Sequence, residues 1–360
     1  MSKLLNSIKT GIIFGDEIKK IFHIAKEKKF AIPAINCTSI DTINAVLKTA
    51  HDMKSPVIIQ FSYGGSSFIA GPDIINISEY KKSALGALSA AHHVHLVAKY
   101  YKIPVILHTD HCHKNNLPWV DYLIKKSEEN FKNYGYPIFS SHMLDLSKES
   151  IKKNIKICKK YLTRIEKMNM ILEIELGCTG GEEDGVNNSN INTNLLYTTS
   201  EDVYYAYKEL KKISSNFIIA ASFGNVHGVY HPDNIHLKPK ILLESQKYIQ
   251  KHYQLNDNRP VNFVFHGGSG SKISDIQESI NYGVVKMNID TDIQWSTWNG
   301  ILKYYNKKRK YLQSQLGNPE GKNKPNKKYY DPRTWIKQSQ SSILITLKKI
   351  FKNLNSYNLI

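Results

Sequence analysis

Three histidines lie where imidazole rings are suited to hold a catalytic metal ion. His111, His227 and His266 each follow a short apolar run of the kind that forms a buried strand. Three neutral imidazoles that leave a coordination position open are the ligands of a catalytic zinc ion. Asp145 and Glu175 end two further runs and are candidate ligands for a second ion or a second position. The sequence therefore predicts Zn²⁺-assisted chemistry.

Two glycine- and hydroxyl-bearing segments are suited to binding a phosphate group. The segment HGGSGS (266–271) follows the seventh apolar run, and NIDTD (288–292) follows the eighth. Glycines at 267, 268 and 270 permit close approach of the backbone, whose N–H groups bind phosphate oxygens. A first phosphate site is predicted here.

A second anion site is indicated on other segments of the chain. Ser62 follows the second apolar run and precedes a glycine pair, and a basic loop carries Lys327, Lys328 and Arg333. Because one phosphate site plus another needs a substrate with two phosphates, the sequence favours a doubly phosphorylated substrate.

The segment GCTGGEEDG (177–185) has the composition of a mobile active-site loop. Its glycines flank a run of adjacent acids, and such a loop commonly carries a proton-transfer carboxylate. Glu182 and Glu183 are the candidates, and a solvated acidic turn is the alternative. By contrast, His92, His93 and His95 share one helical pattern, for which packing or capping is a sufficient role.

Eight apolar or β-branched runs position these residues. They are residues 31–36, 56–62, 104–110, 137–145, 172–177, 217–224, 261–268 and 284–290. Segments with helical periodicity separate them, as in units of alternating strand and helix around a parallel sheet. Eight such units favour a closed (β/α)₈ TIM barrel, with an open doubly wound sheet as the alternative. Barrel enzymes place their chemistry at the carboxyl ends of the strands, where the polar residues above fall.

The remaining chain is expected to extend this one domain over residues 1–360. A helix near 16–29 precedes the barrel strands, a helical extension begins at about 305, and residues 317–333 are predicted to be loop. We expect no signal peptide and no membrane span, and therefore a cytoplasmic protein. The four cysteines have neither the density of a disulfide scaffold nor a CxxC spacing, which predicts reduced thiols.

The formal net charge of +18 raises the alternative of a basic RNA-binding or scaffold protein. Its distribution argues against that class, because lysines are scattered over the predicted helices and arginine occurs only at four positions, 164, 259, 309 and 333. A nucleic-acid binder would bind with an affinity that falls with salt and survives a chelator, whereas metal-dependent activity would not survive one.

Several long segments together resemble one known family. They are HTDHC (108–112), EIELGCTGGEEDG (173–185), ASFGNVHGVY (221–230), FHGGSGS (265–271) and VVKMNIDTD (284–292). In this order and at these intervals they are similar to class II fructose-bisphosphate aldolase, and NKKYYDPR (326–333) resembles the phosphate-contacting tail of its longer-chain subgroup. The resemblance covers essentially the whole chain.

The resemblance implies reversible cleavage of fructose 1,6-bisphosphate to dihydroxyacetone phosphate and glyceraldehyde 3-phosphate, in glycolysis and gluconeogenesis. His111, His227 and His266 would hold the catalytic zinc, with Asp145 and Glu175 at a second or alternate position. Glu183 would remove the C1 proton of dihydroxyacetone phosphate, and Asp110 would handle the proton of the aldehyde-derived hydroxyl. Asn288 would help to hold the zinc-stabilised enediolate.

The resemblance also implies two phosphate sites and a homodimer. The ketose-side phosphate, together with a monovalent cation (Na⁺ or K⁺), would be surrounded by Gly228, Gly267, Gly268, Ser269, Asp290 and Thr291. Ser62, Lys327 and Arg333 would grip the other phosphate, with Arg333 reaching the neighbouring subunit's site. An aldolase acting on tagatose 1,6-bisphosphate is the alternative, because residue types alone do not resolve one stereocentre.

Overall fold

Eight parallel strands close into a barrel, as the alternation of apolar runs predicts. The computed structural model describes residues 4–5, 7–72, 74–183, 186–187, 196–228 and 237–360, with only the backbone at 182, 183, 186 and 187. The strands are β1 (Gly11–Ile12), β2 (Ile32–Asn36), β3 (Val57–Phe61), β4 (Pro104–His113), β5 (Ser141–Asp145), β6 (Ile171–Leu176), β7 (Gly180–Glu183), β8 (Val186–Asn187), β9 (Phe217–Ala221), β10 (Val226–His227), β11 (Phe263–Phe265), β12 (Val284–Ile289), β13 (Leu316–Asn318) and β14 (Gly321–Pro325). The barrel order is β2-β3-β4-β5-β6-β9-β11-β12, and β12 pairs with β2 to close it.

Helices surround this barrel, one or more after most strands. They are α1 (Gly15–Lys28), α2 (Ile40–Met53), α3 (Tyr63–Ala70), α4 (Glu79–Tyr101), α5 (Leu117–Tyr134), α6 (Ile151–Ile165), α7 (Ser200–Lys211), α8 (Lys240–Tyr253), α9 (Ile273–Asn281), α10 (Thr291–Lys308), α11 (Lys327–Tyr330) and α12 (Pro332–Asn353). Side-chain caps start some of them: the Ser39 hydroxyl accepts a hydrogen bond from the Thr42 N–H at 3.2 Å, and Thr199 caps α7 in the same way. None of the helices in the described ranges is long and apolar enough to cross a membrane.

The barrel interior has an apolar lower layer and a polar upper layer. At the amino ends of the strands, Ile32, Ile58, Ile106, Ile171, Ile218 and Val264 form a buried cluster with Ile18, Ile21 and Phe22 of α1. Two or four residues further along the same strands, the inward positions carry polar side chains such as Asn36, Gln60, His108 and Glu173. The period of two in a strand keeps both layers on one face. Helix α1 therefore closes the bottom of the barrel, and the chemistry lies at the top.

The fourth predicted strand begins later than the apolar run suggests. It was expected from residue 137, but β5 begins at Ser141. The short strand β1, which the sequence analysis did not predict, pairs in parallel with the start of β4 at Pro104 and Val105. The N–H groups of Gly11 and Ile13 donate to the Ile103 and Val105 carbonyls at 2.8 and 3.0 Å, so the amino-terminal segment occupies the edge of β4 that residues 137–139 would need.

The C-terminal extension is more regular than expected. The prediction of loop over 317–333 was wrong, because β13 and β14 form an antiparallel hairpin and α11 follows it. The hairpin is held by Asn326, whose side-chain amide donates to the carbonyls of Ser314 and Gly317 at 2.8 and 2.9 Å. Helix α12 then packs against α10 and α2. The hairpin depends on a buried asparagine that bridges its turn, and a single side chain of this kind leaves no periodic pattern in the sequence.

Candidate active site

The three predicted histidine ligands come together at the upper rim of the barrel. One ligand atom from each of His111, His227 and His266 lies within 4.8 Å of the others. The ring centroids of His111 and His266 are 4.7 Å apart, and those of His111 and His227 are 5.2 Å apart. They come from β4, β10 and the residue after β11. Strands distant in sequence thus supply one compact imidazole cluster, as a metal site needs.

A bulge in β4 turns two neighbouring residues into the same site. Thr109 pairs with His142 and Cys112 with Leu144, so β4 has one more residue than β5 between these pairs. His111 has a φ of 33°, a left-handed backbone conformation that is rare outside glycine. In a regular strand Asp110 and His111 would face opposite sides. The bulge directs both toward the barrel interior.

Two carboxylates adjoin the imidazole cluster. His111 Nδ1 lies 3.2 Å from Asp145 Oδ2 and 3.4 Å from Glu175 Oε2, and these three residues form a second group with ligand atoms within 4.8 Å. Burial raises the pKa of the Asp145 carboxyl, but hydrogen bonds from His111 and His113 outweigh it and hold that pKa well below its usual range. The site is therefore rich in negative charge, which attracts a cation.

The chemistry of the donor set fits a divalent metal. His266 Nδ1 and Glu175 Oε2 are buried, accept no hydrogen bond from any described residue, and lie 3.6 Å apart. Buried polar atoms without partners are costly and indicate a missing ligand. Imidazole nitrogens with carboxylate oxygens are the donors that zinc and neighbouring transition ions take.

Glu173 orients the third histidine from below. Its Oε1 lies 2.8 Å from His266 Nε2, so that nitrogen carries the proton and Nδ1 is left to bind a metal. Burial lowers the pKa of His266, but the neighbouring carboxylates of Glu173 and Glu175 outweigh it and raise the pKa to about 9, so a metal ion would displace the Nδ1 proton on binding. Lys286 Nζ lies 2.7 and 3.0 Å from the two Glu173 oxygens. A charged network thus lies directly beneath the imidazoles.

Asp110 is held by three amides. Asn36 and Gln60 donate to its Oδ2 at 3.0 Å each, and Asn288 donates to its Oδ1 at 3.0 Å. All four side chains are buried. An amide donor has no proton to give up to a carboxylate, so this arrangement fixes the orientation of Asp110 without neutralising it. Two of the three predicted catalytic residues, Asp110 and Asn288, are therefore in direct contact.

The strand that carries Glu183 lies beside the one that carries His227. Strands β7 and β10 pair in parallel, with Gly181 opposite His227. Glu183 is the last residue of β7, and its side chain lies outside the described part of the structure. The backbone pairing brings the loop to the imidazole cluster.

The predicted phosphate residues fall into two groups. Gly228, Gly267, Gly268, Ser269, Asp290 and Thr291 lie at the same rim, directly after β10, β11 and β12. Ser62 caps α3, its hydroxyl accepting from the Gly65 N–H at 3.1 Å. Lys327 and Arg333 lie instead on the exposed tail, where Arg333 is 90% exposed and its guanidinium donates to Asp331 at 2.6 Å.

The comparisons with known proteins agree with this geometry. Residues 16–359 match the family model described as "Fructose-bisphosphate aldolase class-II". A relative from Buchnera aphidicola subsp. Schizaphis graminum named "Fructose-bisphosphate aldolase class 2" is 60% identical, covering 99% of this chain and 100% of its own. Another of that name, from Escherichia coli (strain K12), is 57% identical over all of both chains. The chain belongs to the class II fructose-bisphosphate aldolase family.

A solved structure of a family member supports the same fold. The crystal structure of fructose-bisphosphate aldolase from Campylobacter jejuni superposes with a TM-score of 0.90 at 51% identity and covers 100% of both chains. The predicted TIM barrel is therefore confirmed, and the predicted family is confirmed with it.

The sequence analysis missed several residues of this aldolase site. Glu173 and Lys286 lie within apolar strands, each two residues before a residue that was predicted, Glu175 and Asn288. A charged residue at an inward position of a buried strand was the available signal. His113 was also missed; its Nδ1 lies 3.1 Å from Asp145 Oδ2. His93 and His95 lie on α4 and contact Asn44 and the Ile138 carbonyl.

Replacing Gly267 by alanine is expected to destabilise the aldolase and weaken its hold on metal. Gly267 has a φ of 59°, and a Cβ there would lie 2.6 Å from the Val226 carbonyl oxygen. The clash would separate His266 from His227. We expect a loss of about 2 kcal/mol or more in the free energy of unfolding. Chemical denaturation and zinc titration measure the two effects.

Gly135 provides the matched control. It also has a positive φ, 80°, but a Cβ there meets nothing within 4 Å. Gly135→Ala is expected to cost only the conformational strain, about 1 kcal/mol, with unchanged metal affinity. Equal losses in the two variants would show that the contact between Gly267 and Val226 is unimportant.

Proposed function

We propose that the chain catalyses the reversible aldol cleavage of fructose 1,6-bisphosphate to dihydroxyacetone phosphate and glyceraldehyde 3-phosphate. The observation that carries the proposal is the cluster of His111, His227 and His266 at the rim of a barrel whose sequence belongs to the class II family. Their imidazoles meet beside Asp110, which is the arrangement expected for metal-assisted proton transfer.

The proposed metal is Zn²⁺, held by His111, His227 and His266, with Asp145 and Glu175 offering a second or alternate position. When bound there, a divalent ion supplies Lewis-acid stabilisation of negative charge on substrate oxygens. Glu173 supports the ligand set because it accepts from His266 Nε2 and so presents Nδ1 to the ion.

Proton transfer is assigned to two carboxylates. Glu183 removes the C1 proton of dihydroxyacetone phosphate in the condensation direction, from a loop whose backbone pairs with that of His227. Asp110 exchanges a proton with the hydroxyl that derives from the aldehyde, and its three amide partners hold its carboxylate in one orientation. Asn288 lies against Asp110 and helps to hold the intermediate.

Schiff-base chemistry at the buried lysine is not part of this proposal. Lys286 lies in the barrel, but its ammonium group donates to Glu173 Oε1 at 3.0 Å and to Asn288 Oδ1 at 2.7 Å. A lysine nucleophile needs its amine free to attack the substrate, whereas Lys286 Nζ is engaged by Glu173 and Asn288. Lys286 is therefore not assigned as a nucleophile.

Phosphate binding is assigned to the two groups of residues described above. The residues of the first group follow β10, β11 and β12 at the upper rim, where barrels commonly bind phosphate, and a monovalent cation is proposed beside them; they are Gly228, Gly267, Gly268, Ser269, Asp290 and Thr291. Ser62, Lys327 and Arg333 are proposed for the other phosphate. Since Arg333 is exposed, we propose that it serves the site of a second copy in a homodimer. We further propose that residues 1–360 form a single domain and that the enzyme acts in the cytoplasm.

The test is cleavage of fructose 1,6-bisphosphate, followed by coupled detection of triose phosphates. We expect EDTA to abolish the activity and added Zn²⁺ to restore it. Activity that resists the chelator would contradict the metal mechanism and point to a lysine. Tagatose 1,6-bisphosphate is assayed in parallel, and a higher kcat/KM for it than for the fructose ester would overturn the proposed substrate.

A further inference from the structure

A fully buried lysine links the two halves of the proposed active site. Lys286 is 1% exposed and lies on β12, at the boundary between the apolar and polar layers of the barrel. Its ammonium group contacts Glu173, Asn288 and, at 3.5 Å, His108 Nε2. Desolvation makes such a buried lysine costly unless each of its protons is used.

We propose that Lys286 is a positioning residue, which holds Asn288 toward Asp110 and Glu173 toward His266 and so keeps the proton-transfer side and the metal side of the site in register. This inference rests on the proposed aldolase activity. The contacts of Lys286 with the described residues include neither the proposed metal ligands nor Asp110. Lys286 therefore acts on the site indirectly, through Asn288 on one side and Glu173 on the other.

The first step concerns the orientation of the Asn288 amide. An ammonium group only donates hydrogen bonds, so Asn288 must turn its carbonyl oxygen, Oδ1, to Lys286. The amide nitrogen then necessarily points away and donates to Asp110 Oδ1 at 3.0 Å. Without Lys286 the amide is free to present either end, and an oxygen facing the Asp110 carboxylate would repel it. Lys286 therefore selects the orientation that the proton-transfer carboxylate requires.

The second step concerns Glu173. This carboxylate is completely buried and has three cationic or donor neighbours, Lys286, His266 and His108. Lys286 Nζ lies 2.7 and 3.0 Å from the two Glu173 oxygens, whereas His108 Nε2 lies 3.4 Å from Glu173 Oε2. Lys286 is thus the neighbour that contacts both oxygens and holds the Glu173 carboxylate in the position from which it accepts a hydrogen bond from His266 Nε2.

The experiment uses the full chain with methionine in place of Lys286, because methionine fills the same volume without charge or donors. We expect Lys286→Met to lower kcat for fructose 1,6-bisphosphate by about 10- to 100-fold, with little change in KM. We also expect Co²⁺ affinity to fall by about tenfold, with an altered visible spectrum of the Co²⁺ protein, because His266 loses its fixed orientation.

Lys26 is the matched control. It is also a largely buried lysine, but it lies on α1 and donates to the Arg259 carbonyl at the other end of the barrel. Lys26→Met is expected to keep wild-type kcat and Co²⁺ spectrum. A Lys286→Met enzyme that behaves like Lys26→Met would overturn the inference.

A second variant separates positioning from simple charge balance and remains informative if Lys286→Met folds poorly. In the double variant Glu173→Gln/Lys286→Met the buried charges are removed together, while the glutamine amide still offers an oxygen to His266. If Lys286 only balanced Glu173, kcat would return to that of Glu173→Gln. We expect it to stay at least about tenfold lower, because Asn288 is still not oriented.

A double-mutant cycle with Asn288 identifies the route. In an Asn288→Ala background, assayed with saturating metal, Lys286→Met is expected to lower kcat by a clearly smaller factor than in the wild-type background, because the group through which Lys286 acts on Asp110 is gone and only the route through Glu173 remains. A full additional loss would contradict the route through Asn288. Wild-type protein that binds Co²⁺ but cleaves no ketose bisphosphate would instead refute the proposed function, and the spectral comparison of the variants would still test the link between Lys286 and His266.

Discussion

His111→Ala is expected to abolish metal retention and cleavage of fructose 1,6-bisphosphate together. His111 belongs to both groups of candidate ligands, one with His227 and His266 and one with Asp145 and Glu175. Its loss therefore removes a ligand from every position that the described residues offer. We expect kcat to fall by at least about 10³-fold, the scale of losing Lewis-acid stabilisation. Metal content by mass spectrometry and the coupled cleavage assay measure the two losses.

His93→Ala is the control for this variant. His93 lies on α4 outside the barrel, where its ring contacts Asn44 at 2.9 Å. It is expected to keep its metal and its activity. Thermal unfolding of both variants establishes that they are folded. Position 111 has a φ of 33°, where histidine and alanine carry the same backbone strain, so the substitution adds no strain of its own. A His111→Ala protein with a full complement of zinc would exclude His111 as a ligand.

Glu183→Ala is expected to keep the metal and lose exchange of the C1 proton of dihydroxyacetone phosphate. The loss follows because a positioned general base contributes about 10²- to 10⁴-fold to the rate. Metal affinity should remain, since both groups of candidate ligands stay in place in this variant. The measurement is deuterium exchange into dihydroxyacetone phosphate followed by NMR, without the aldehyde, so that only the first proton transfer is observed.

Glu182, the acid next to Glu183, provides the matched control for this variant. Glu182 precedes Glu183 on β7 and is the other candidate for the proton-transfer carboxylate. Glu182→Ala is expected to exchange the proton within about threefold of the wild-type rate. The reverse outcome, with Glu183→Ala exchanging normally and Glu182→Ala inactive, would transfer the role to Glu182.

Much of the barrel could be predicted from periodicity because each strand is an apolar run buried on both faces. Each of the eight runs overlaps a barrel strand, and the residues that end the runs mark the upper rim. The ends of a strand could not be predicted from the sequence where pairing with a neighbouring strand decides them. Strand β5 begins at Ser141 because β1 covers the earlier part of β4, and that contact joins residues as distant in the sequence as Gly11 and Pro104.

The sequence by itself determined the barrel and the family, and it predicted which imidazoles would serve as metal ligands. Each of these depends on residue type and local order: apolar runs form strands, and His111, His227 and His266 follow them. Only the tertiary structure decided how the side chains meet. The bulge that turns Asp110 and His111 to one side arises from pairing between β4 and β5, and the network of Glu173, Lys286 and Asn288 forms because barrel closure brings β6 and β12 within reach. Strand register and closure depend on all the strands at once, and no local pattern encodes them.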